Sequence, residues 1–358
     1  MKKILIICAA ALAIAACSEK QGMIPDCAPA AEGSGILNLT MPELSATKAA
    51  ATDSEKKLNS LYIAIFNSEG RLEISHDCSG TEISEIATSG VKLNVKTGTK
   101  DVWAVANVAP SKFAAVTDIA SFKAVEVLLS DDSATSFAME GNVSGISVTS
   151  GKTSTASIQL ARFAARVQLV KVSNNLPSSY GNLTVKSVYL ANVACNDNIG
   201  QSAKTSVWCN RLGHSGTLLT EANVIGNGSV KAENASLTFS AVGNAVPNAS
   251  SVSLSGKYVY GYRNASTADP VARRNGFPAN GCRSVLYVIA AIGGIDYWYP
   301  IGLGELGSNN SYNVSLTITM PGQRPGDDDF GSLITKGSLS ASVTVTDWTD
   351  GSDYSETI

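Results

Sequence analysis

Residues Ser34 to Leu58 read SGILNLTMPELSATKAAATDSEKKL, and the rest of the chain is interpreted from this stretch. Its first part alternates apolar with polar residues, which predicts a β-strand with one buried face. The apolar residues of that face are Leu37, Leu39 and Met41. Pro42 ends the strand, because proline has no N–H to donate to a neighbouring strand. The small and polar residues that follow predict an exposed connection that a protease can cut.

The composition indicates an all-β protein. With 358 residues the chain is longer than a single core usually grows, which predicts two domains. The 31 Gly and 11 Pro are scattered among short apolar runs, as in proteins with many strands and turns. Charged residues make up only 16% of the chain and the net charge is -3, with no basic stripe, so nucleic acid is not expected as a partner.

The first residues predict export. Lys2 and Lys3 precede an apolar run from Ile4 to Ala16, which has the form of a signal peptide and is too short for a stable membrane anchor. The residues that end in Cys17 resemble a bacterial lipobox, which predicts removal of residues 1–16 and a lipid on Cys17. An ordinary signal peptide with a chance cysteine is the alternative.

The cysteines fit an oxidising compartment only in part. Cys8 leaves with the signal peptide, and loss of everything before Ala49 would also remove Cys27. Four cysteines then remain, namely Cys78, Cys195, Cys209 and Cys282. Cys195 and Cys209 are the favoured disulfide because they are close in sequence, although spacing alone does not fix the connectivity.

The rest of the chain is a series of predicted strands with one predicted helix. Helical spacing of apolar residues from Thr117 to Leu129 predicts that helix. A fresh strand series begins at Arg162, which predicts a domain boundary near Ala161. Residues Cys195 to Ser250 are rich in Asn, Gly and Ser and are expected to decorate a sheet. After the loose connector Gly322 to Phe330 comes a last alternating strand, whose apolar residues are Leu339, Ala341, Val343 and Val345.

Several segments together resemble the fimbrillins, the subunits of type V pili of Bacteroidales. They are the lipobox, the run Thr47-Lys48-Ala49 before a strand, VWAVANVAP (102–110), RFAARVQL (162–169), YNVSLTITMPG (312–322) and SLSASVTVTDW (338–348). Each segment alone is weak, but their order is fairly specific and they span nearly the whole chain. The resemblance implies two transthyretin-like β-sandwich domains, 49–161 and 162–358, after a propeptide of residues 17–48.

The same resemblance implies a mode of assembly. A lipidated precursor reaches the outer membrane, and a trypsin-like protease cuts after a basic residue in the first loop. Lys48, followed by Ala49, matches that position, although better-known relatives have Arg there. Loss of the first strand opens a groove, which the C-terminal strand near 338–348 of another subunit fills. The implied partners are further copies of the subunit and tip or anchor subunits, in a cell-surface fimbria that supports adhesion.

Other classes of function stay open. A surface lipoprotein that does not polymerise could bind glycan through Tyr258, Tyr260, Tyr262 and the run Tyr297-Trp298-Tyr299, and a tip or accessory adhesin is a further alternative. The run Asp132-Ser133-Ala134 resembles an O-glycosylation motif. No catalytic, cofactor or metal site is predicted, since His76, beside Asp77 and Cys78, has no second cluster of ligands in the sequence.

Overall fold

The computed structural model describes residues 33–42, 53–211, 235–269, 282–324, 339–347 and 353–357. The fold is all-β, as predicted, and its few helices are short. Within these ranges, the structure contains no helix that is both long and apolar enough to cross a membrane.

The first half of the chain contains nine strands and two short α-helices. The strands are β1 (Ser34–Thr40), β2 (Leu61–Asn67), β3 (Leu72–Asp77), β4 (Val91–Lys96), β5 (Gly98–Ala106), β6 (Glu126–Leu128), β7 (Met139–Val148), β8 (Thr153–Ser157) and β9 (Ala161–Arg162). The helices are α1 (Gly80–Glu85) and α2 (Ile119–Lys123), and 3-10 turns lie at Asp53–Lys56, Pro110–Phe113 and Leu129–Asp131.

The second half contributes the remaining strands of the described chain. They are β10 (Ala164–Asn174), β11 (Leu183–Ala191), β12 (Val193–Ala194), β13 (Asn196–Asn198), β14 (Trp208–Cys209), β15 (Phe239–Val246), β16 (Ser250–Ser253), β17 (Tyr258–Tyr262), β18 (Val285–Ile292), β19 (Ile295–Gly302), β20 (Asn310–Ile318), β21 (Leu339–Asp347) and β22 (Asp353–Thr357). Helix α3 spans Ala235–Thr238, and a 3-10 turn lies at Ser178–Tyr180.

Two sheets make up the first half. One has five strands in the order β3-β2-β5-β7-β9, and the other has three in the order β4-β1-β8. The side chains of β2 are buried from Leu61 to Phe66, because this apolar strand lies between β3 and β5 and is covered on both faces. Phe66 and Trp103 pack edge-on against Phe122 of α2, so the helix covers this core.

The predicted helix from Thr117 to Leu129 is wrong in its second part. Asp118 caps α2 by accepting a hydrogen bond from the backbone N–H of Ser121, but the helix ends at Lys123. Residues Glu126 to Leu128 instead form β6, which pairs with β13 of the second half. Pairing with a distant strand has overridden the helical spacing, a common outcome for short apolar segments.

The second half also has two sheets. Eight strands form one sheet, in which β10 pairs with β17 and, in parallel, with β20; the other sheet has the order β15-β11-β18-β19. The hairpin of β18 and β19, closed by Gly293 and Gly294 with positive φ, is as predicted. The segment Cys195 to Ser250 was predicted to decorate a sheet, but part of it forms sheet strands. Strand β15 pairs with β11 in the four-stranded sheet, and β16, which begins at Ser250, pairs with β10 in the eight-stranded sheet.

Polar contacts join the two halves. The hydroxyl of Tyr262 donates to a carboxylate oxygen of Asp132 at 3.0 Å, and the backbone N–H of Gly200 donates to Glu140 at 2.7 Å. These bonds accompany the β6–β13 pairing, so the halves are linked through ordered backbone as well as side chains.

Candidate functional site

Strand β1 lies in the middle of its sheet. It pairs antiparallel with β4, where Leu37 is opposite Leu93, and parallel with β8, where Leu37 is opposite Ser154. The parallel pair is formed between the first and the eighth strand of the chain, so β1 fills a slot whose two walls come from later sequence. Removal of β1 would leave two unpaired strand edges facing each other.

The inner face of β1 is fully buried. Leu37 and Leu39 are 0% exposed and Met41 is 1% exposed, as the alternation in the sequence predicts. They belong to the same core as apolar side chains of β4, β8 and the adjoining segments, namely Ile86, Val91, Leu93, Val95, Val148, Ala156 and Ile158. Burial of each large side chain contributes about 1.5–3 kcal/mol. Strands β4 and β8, with the adjoining residues Ile86, Val148 and Ile158, therefore form an apolar groove. We call it the β1 groove.

Gly35 marks the narrow end of the β1 groove. A Cβ atom at this position would lie 2.5 Å from the carbonyl oxygen of Thr149 and 2.9 Å from Cγ1 of Val148. Both distances are shorter than van der Waals contact, and one of them involves backbone that cannot move aside easily. The groove therefore admits only glycine at the position two residues before Leu37.

Backbone hydrogen bonds continue past both ends of the strand pairing. Ile36 donates to the carbonyl of Lys152 at 2.9 Å, and Met41 donates to the carbonyl of Ile86 at 3.1 Å. Ile158 donates to the carbonyl of Thr40 at 2.9 Å. Both edges of β1 are thus satisfied along its length.

The turn at Asp53–Lys56, on the other side of the predicted cleavage segment, is attached to the second half by a buried ion pair. Nη1 of Arg166 lies 3.0 Å from Oε2 of Glu55, and these side chains are 5% and 2% exposed. The hydroxyl of Tyr260 donates to Oε1 of Glu55 at 2.8 Å, and Nε of Arg162 donates to the Glu55 carbonyl at 3.1 Å. This group of residues, Glu55, Arg162, Arg166 and Tyr260, is called the Glu55 cluster below.

Burial shifts the pKa values of two members of the Glu55 cluster, Arg162 and Tyr260. It lowers the pKa of the Arg162 guanidinium to about 10, against the opposing effect of the Glu55 carboxylate. Burial, together with the nearby Glu55 carboxylate, raises the pKa of the Tyr260 hydroxyl, so this hydroxyl stays a hydrogen-bond donor at neutral pH.

The C-terminal strand has a different position. Strand β21 pairs antiparallel with β20 over nine residue pairs, from Asn310 opposite Asp347 to Ile318 opposite Leu339. On its other side, within the described residues, it pairs with the short β22, which ends the sheet. Ala341 is 8% and Val343 is 3% exposed, so they lie on a buried face of β21. Ser340, which precedes Ala341 and points to the opposite face, is exposed, as the alternation predicts.

The remaining predicted site residues fall in three groups. Cys17, Lys48 and Ala49 lie outside the described residues, as do the side chains of Leu339 and Val345. Cys195 and Cys209 are joined in a disulfide with Cα atoms 6.1 Å apart. Cys78 and Cys282 are buried free thiols.

The aromatic residues considered for glycan binding are mainly core residues. Tyr260, Tyr262, Trp298 and Tyr299 are at most 4% exposed. Tyr258 is partly buried and lies under the guanidinium of Arg166 at 4.7 Å. These side chains do not form an exposed platform for a sugar ring.

The first residue of the possible glycosylation motif also faces inwards. Asp132 is 8% exposed, and it accepts a hydrogen bond from the Ala138 backbone at 2.9 Å in addition to the one from Tyr262. Burial raises the pKa of Asp132 to about 7, although both hydrogen bonds oppose the shift.

Sequence reasoning missed the role of Glu55 and the constraint at Gly35. Glu55 is 111 residues from Arg166 in sequence, so no local pattern could pair them. The only local signal was a charged residue followed by two lysines, which is typical of an exposed turn. Gly35 resembles any strand glycine until its neighbours in space are known.

Similarity to known proteins is consistent with this architecture. The family model for the major fimbrial subunit protein (FimA) matches residues 37–255. No curated protein matches the chain at a significant level.

Solved structures share the fold over most of the chain. A candidate cell adhesion protein from Bacteroides eggerthii is 17% identical with a TM-score of 0.56, covering 90% of this chain and 97% of its own. A fimbrilin from Porphyromonas gingivalis is 14% identical with a TM-score of 0.53, covering 88% and 96%. The tip fimbrial protein Mfa3 of the same organism, with a C-terminal truncation, is 14% identical with a TM-score of 0.51, covering 88% and 100%.

The solved structures support the fold alone, whereas the family model matches more than half of the residues, beginning within β1 and ending after β16. The chain therefore belongs to the family of the major fimbrial subunit protein (FimA).

Proposed function

We propose that this fimbrial subunit polymerises by strand exchange, after a protease removes β1. The precursor carries a lipid on Cys17 at the outer membrane until a trypsin-like protease cuts between Lys48 and Ala49. The C-terminal strand of another subunit then enters the β1 groove. The observation that carries the proposal is that β1, the strand ahead of the predicted cleavage segment, is the middle strand of its sheet.

The central position makes the uncleaved strand an inhibitor. An emptied β1 groove would expose apolar side chains and two unpaired edges, which favours capture of an extended segment. While β1 is covalently attached, it competes for the groove as an intramolecular ligand at high effective concentration. Cleavage leaves β1 on the lipidated peptide of residues 17–48, which is no longer joined to the subunit. Its effective concentration at the groove therefore falls, and the groove becomes available.

The sequence of the C-terminal segment matches the demands of the groove in one register. Gly35-Ile36-Leu37-Asn38-Leu39-Thr40-Met41 corresponds to Gly337-Ser338-Leu339-Ser340-Ala341-Ser342-Val343. This register sets Gly337 at the narrow end and apolar residues at the three following inward positions. A shift of two residues toward the narrow end would bring Leu339 to the position of Gly35, where even a Cβ atom has no room.

The donor strand must first leave its own sheet. It gives up nine residue pairs with β20 and the pairing with β22, and Ala341 and Val343 lose their burial. It gains pairing with β4 and β8 of the neighbouring subunit, so the exchange replaces contacts of the same kind.

The test is cleavage of the purified full chain with trypsin, followed by N-terminal sequencing and electrophoresis in SDS without heating. We expect a new N-terminus at Ala49 and a ladder of multimers that heating dissolves. Lys48→Gln should abolish the ladder, whereas Lys96→Gln, at an exposed position of β4, should retain it. A cleaved protein that stays monomeric would overturn the proposal.

The register has its own test. Gly337→Val should prevent assembly of the cleaved subunit, because the added side chain meets the carbonyl of Thr149 at the narrow end. Gly331→Val, six residues earlier in the chain and outside the matched segment, is the control. A ladder that survives removal of residues 338–358 would show that another segment is the donor.

A further inference from the structure

The end of β3 and the start of α1 bring three metal-ligating side chains together. The ligand atoms of His76, Cys78 and Glu82 all lie within 4.8 Å of one another. Nε2 of His76 is 2.7 Å from Oε1 of Glu82, and these side chains are 12% and 8% exposed. Cys78 is 8% exposed and forms no disulfide. All three side chains are thus largely buried, and each keeps a small exposed fraction.

The local backbone holds these side chains in place. The N–H of Cys78 donates to the carbonyl of Leu61 at 2.8 Å, which fixes the chain just after β3. Ser79 caps α1, and its backbone N–H donates to Oε2 of Glu82 at 2.7 Å. The capping box uses Oε2 of Glu82 and leaves Oε1 for the contact with His76. Hydrogen bonds that orient the ligand side chains in this way are typical of metal sites in proteins.

We propose that His76, Cys78 and Glu82 form a binding site for a zinc-type divalent transition-metal ion. One imidazole nitrogen, one thiolate and one carboxylate oxygen are ligands that Zn²⁺ accepts together, with water in the fourth position. The set contains too few oxygen ligands for Ca²⁺ or Mg²⁺. The site does not depend on strand exchange or on cleavage at Lys48.

Binding requires a change of protonation. The thiol of Cys78 loses its proton to solvent as the sulfur–metal bond forms, and His76 ligates through a nitrogen that carries no proton. Affinity should consequently fall as the pH is lowered.

The position of the site gives the ion a structural effect. Ile86, which follows α1 directly, accepts the hydrogen bond from Met41 at the end of β1. An ion that ties α1 to β3 would stabilise the segment against which β1 ends.

The test uses the full chain, freed of metal by a chelator that is then removed. Titration with Co²⁺ should give a thiolate-to-metal charge-transfer band, and Zn²⁺ should displace the Co²⁺ at a ratio of one ion per chain. Cys78→Ala should abolish the band, and His76→Gln or Glu82→Gln should weaken Zn²⁺ binding about 100-fold or more. Excess Zn²⁺ should raise the melting temperature of the unaltered chain.

Asp77→Asn is the matched control, because Asp77 is adjacent in sequence but its side chain is exposed. It should leave the Co²⁺ spectrum and the Zn²⁺ affinity within about 2-fold of the unaltered chain. Circular dichroism of each variant without metal separates lost binding from lost folding. A Co²⁺ spectrum that is unchanged by Cys78→Ala, or no binding by the unaltered chain, would overturn the proposal.

Discussion

Strand β1 and the turn at Asp53–Lys56 stand on opposite sides of the predicted cleavage segment, and they are attached by different interactions. Strand β1 is held by apolar side chains and strand pairing, whereas Glu55 is held by a buried ion pair and hydrogen bonds to the second half. Any strand with the right spacing can supply the first kind of attachment. The second kind needs one carboxylate at one place. The contrast separates a replaceable element from a permanent one.

The largest effect is expected at the permanent attachment. Glu55→Ala removes the carboxylate that faces the buried Arg166, which should lower the free energy of unfolding by about 3–5 kcal/mol. Glu69→Ala is the control, because Glu69 pairs with Arg71 at the exposed surface and should cost less than about 1 kcal/mol. Urea denaturation of the uncleaved chain measures both. Equal losses would mean that the Glu55 cluster does not anchor the turn.

A slightly smaller effect is expected inside the β1 groove. Leu39→Ala should lower the free energy of unfolding of the uncleaved chain by about 2–5 kcal/mol, because the Leu39 side chain is fully buried and its truncation leaves a cavity. Thr40→Val, on the opposite face, removes only a long hydroxyl hydrogen bond to the Ala156 carbonyl and should cost about 1 kcal/mol or less. After cleavage and assembly, the two variants should have equal thermal stability, because residues before Lys48 have left. A difference that persists in the assembled material would contradict removal of β1.

The contact between Asp132 and Tyr262 should respond to pH, whereas the apolar attachment of β1 should not. Asp132, like Glu55, is a buried carboxyl that bonds to the second half, and its pKa in the folded chain is about 7. Because this pKa lies above the ordinary value, the folded state binds the proton more tightly between about pH 4 and pH 7. The contribution of Asp132 to stability is therefore greatest below about pH 4 and is lost as the pH rises through 7.

The measurable quantity is the difference in unfolding free energy between the unaltered chain and Asp132→Asn. This difference should change by an amount on the order of 3 kcal/mol between pH 4 and pH 7. The corresponding difference for Leu39→Ala should stay constant, because the residues of the inner face of β1 carry no titratable group. A flat profile for Asp132→Asn would show that this carboxyl does not respond to pH as its burial implies.

The smallest effect is expected at the narrow end of the groove. Gly35→Ala forces a methyl group against the Thr149 carbonyl and should cost about 1–3 kcal/mol. Gly80→Ala, at the first residue of α1, meets no atom within 4 Å and should change stability by less than about 0.5 kcal/mol. Thermal melting of both variants checks this. Equal melting temperatures would remove the basis for the Gly337 register.

The sequence alone was sufficient to predict strands in which apolar residues alternate or follow one another without interruption. The alternation of Leu37, Leu39 and Met41 is reproduced as a buried face, and the apolar run at Leu61 is reproduced as a strand covered on both faces. Such patterns are local consequences of the extended backbone, so they need no knowledge of the partner strand. The central position of β1 was not visible in the sequence, because β4 and β8 lie far along the chain.

The second part of the predicted helix failed because a strand distant in sequence decides its structure. Val127 was predicted to be helical, but it lies in β6, because β6 pairs with β13 of the second half. Oε1 of Glu82 lies 2.7 Å from Nε2 of His76 although the two residues are on different elements, α1 and β3. The prediction of no metal site at His76 stays a prediction; it considered only the neighbours of His76 in sequence, and Glu82 lies on a different element.

The two neighbours of β1 run in opposite directions relative to it, antiparallel on the β4 side and parallel on the β8 side. A replacement strand that entered backwards would exchange the two hydrogen-bonding patterns and lose the register of both walls. In a polymer built by the proposed exchange, every joint would therefore have the same sense. Such head-to-tail joints produce an open filament with unlike ends. One terminal subunit would present an empty acceptor and the other an unused tail, so growth and capping at the two ends would require different partners.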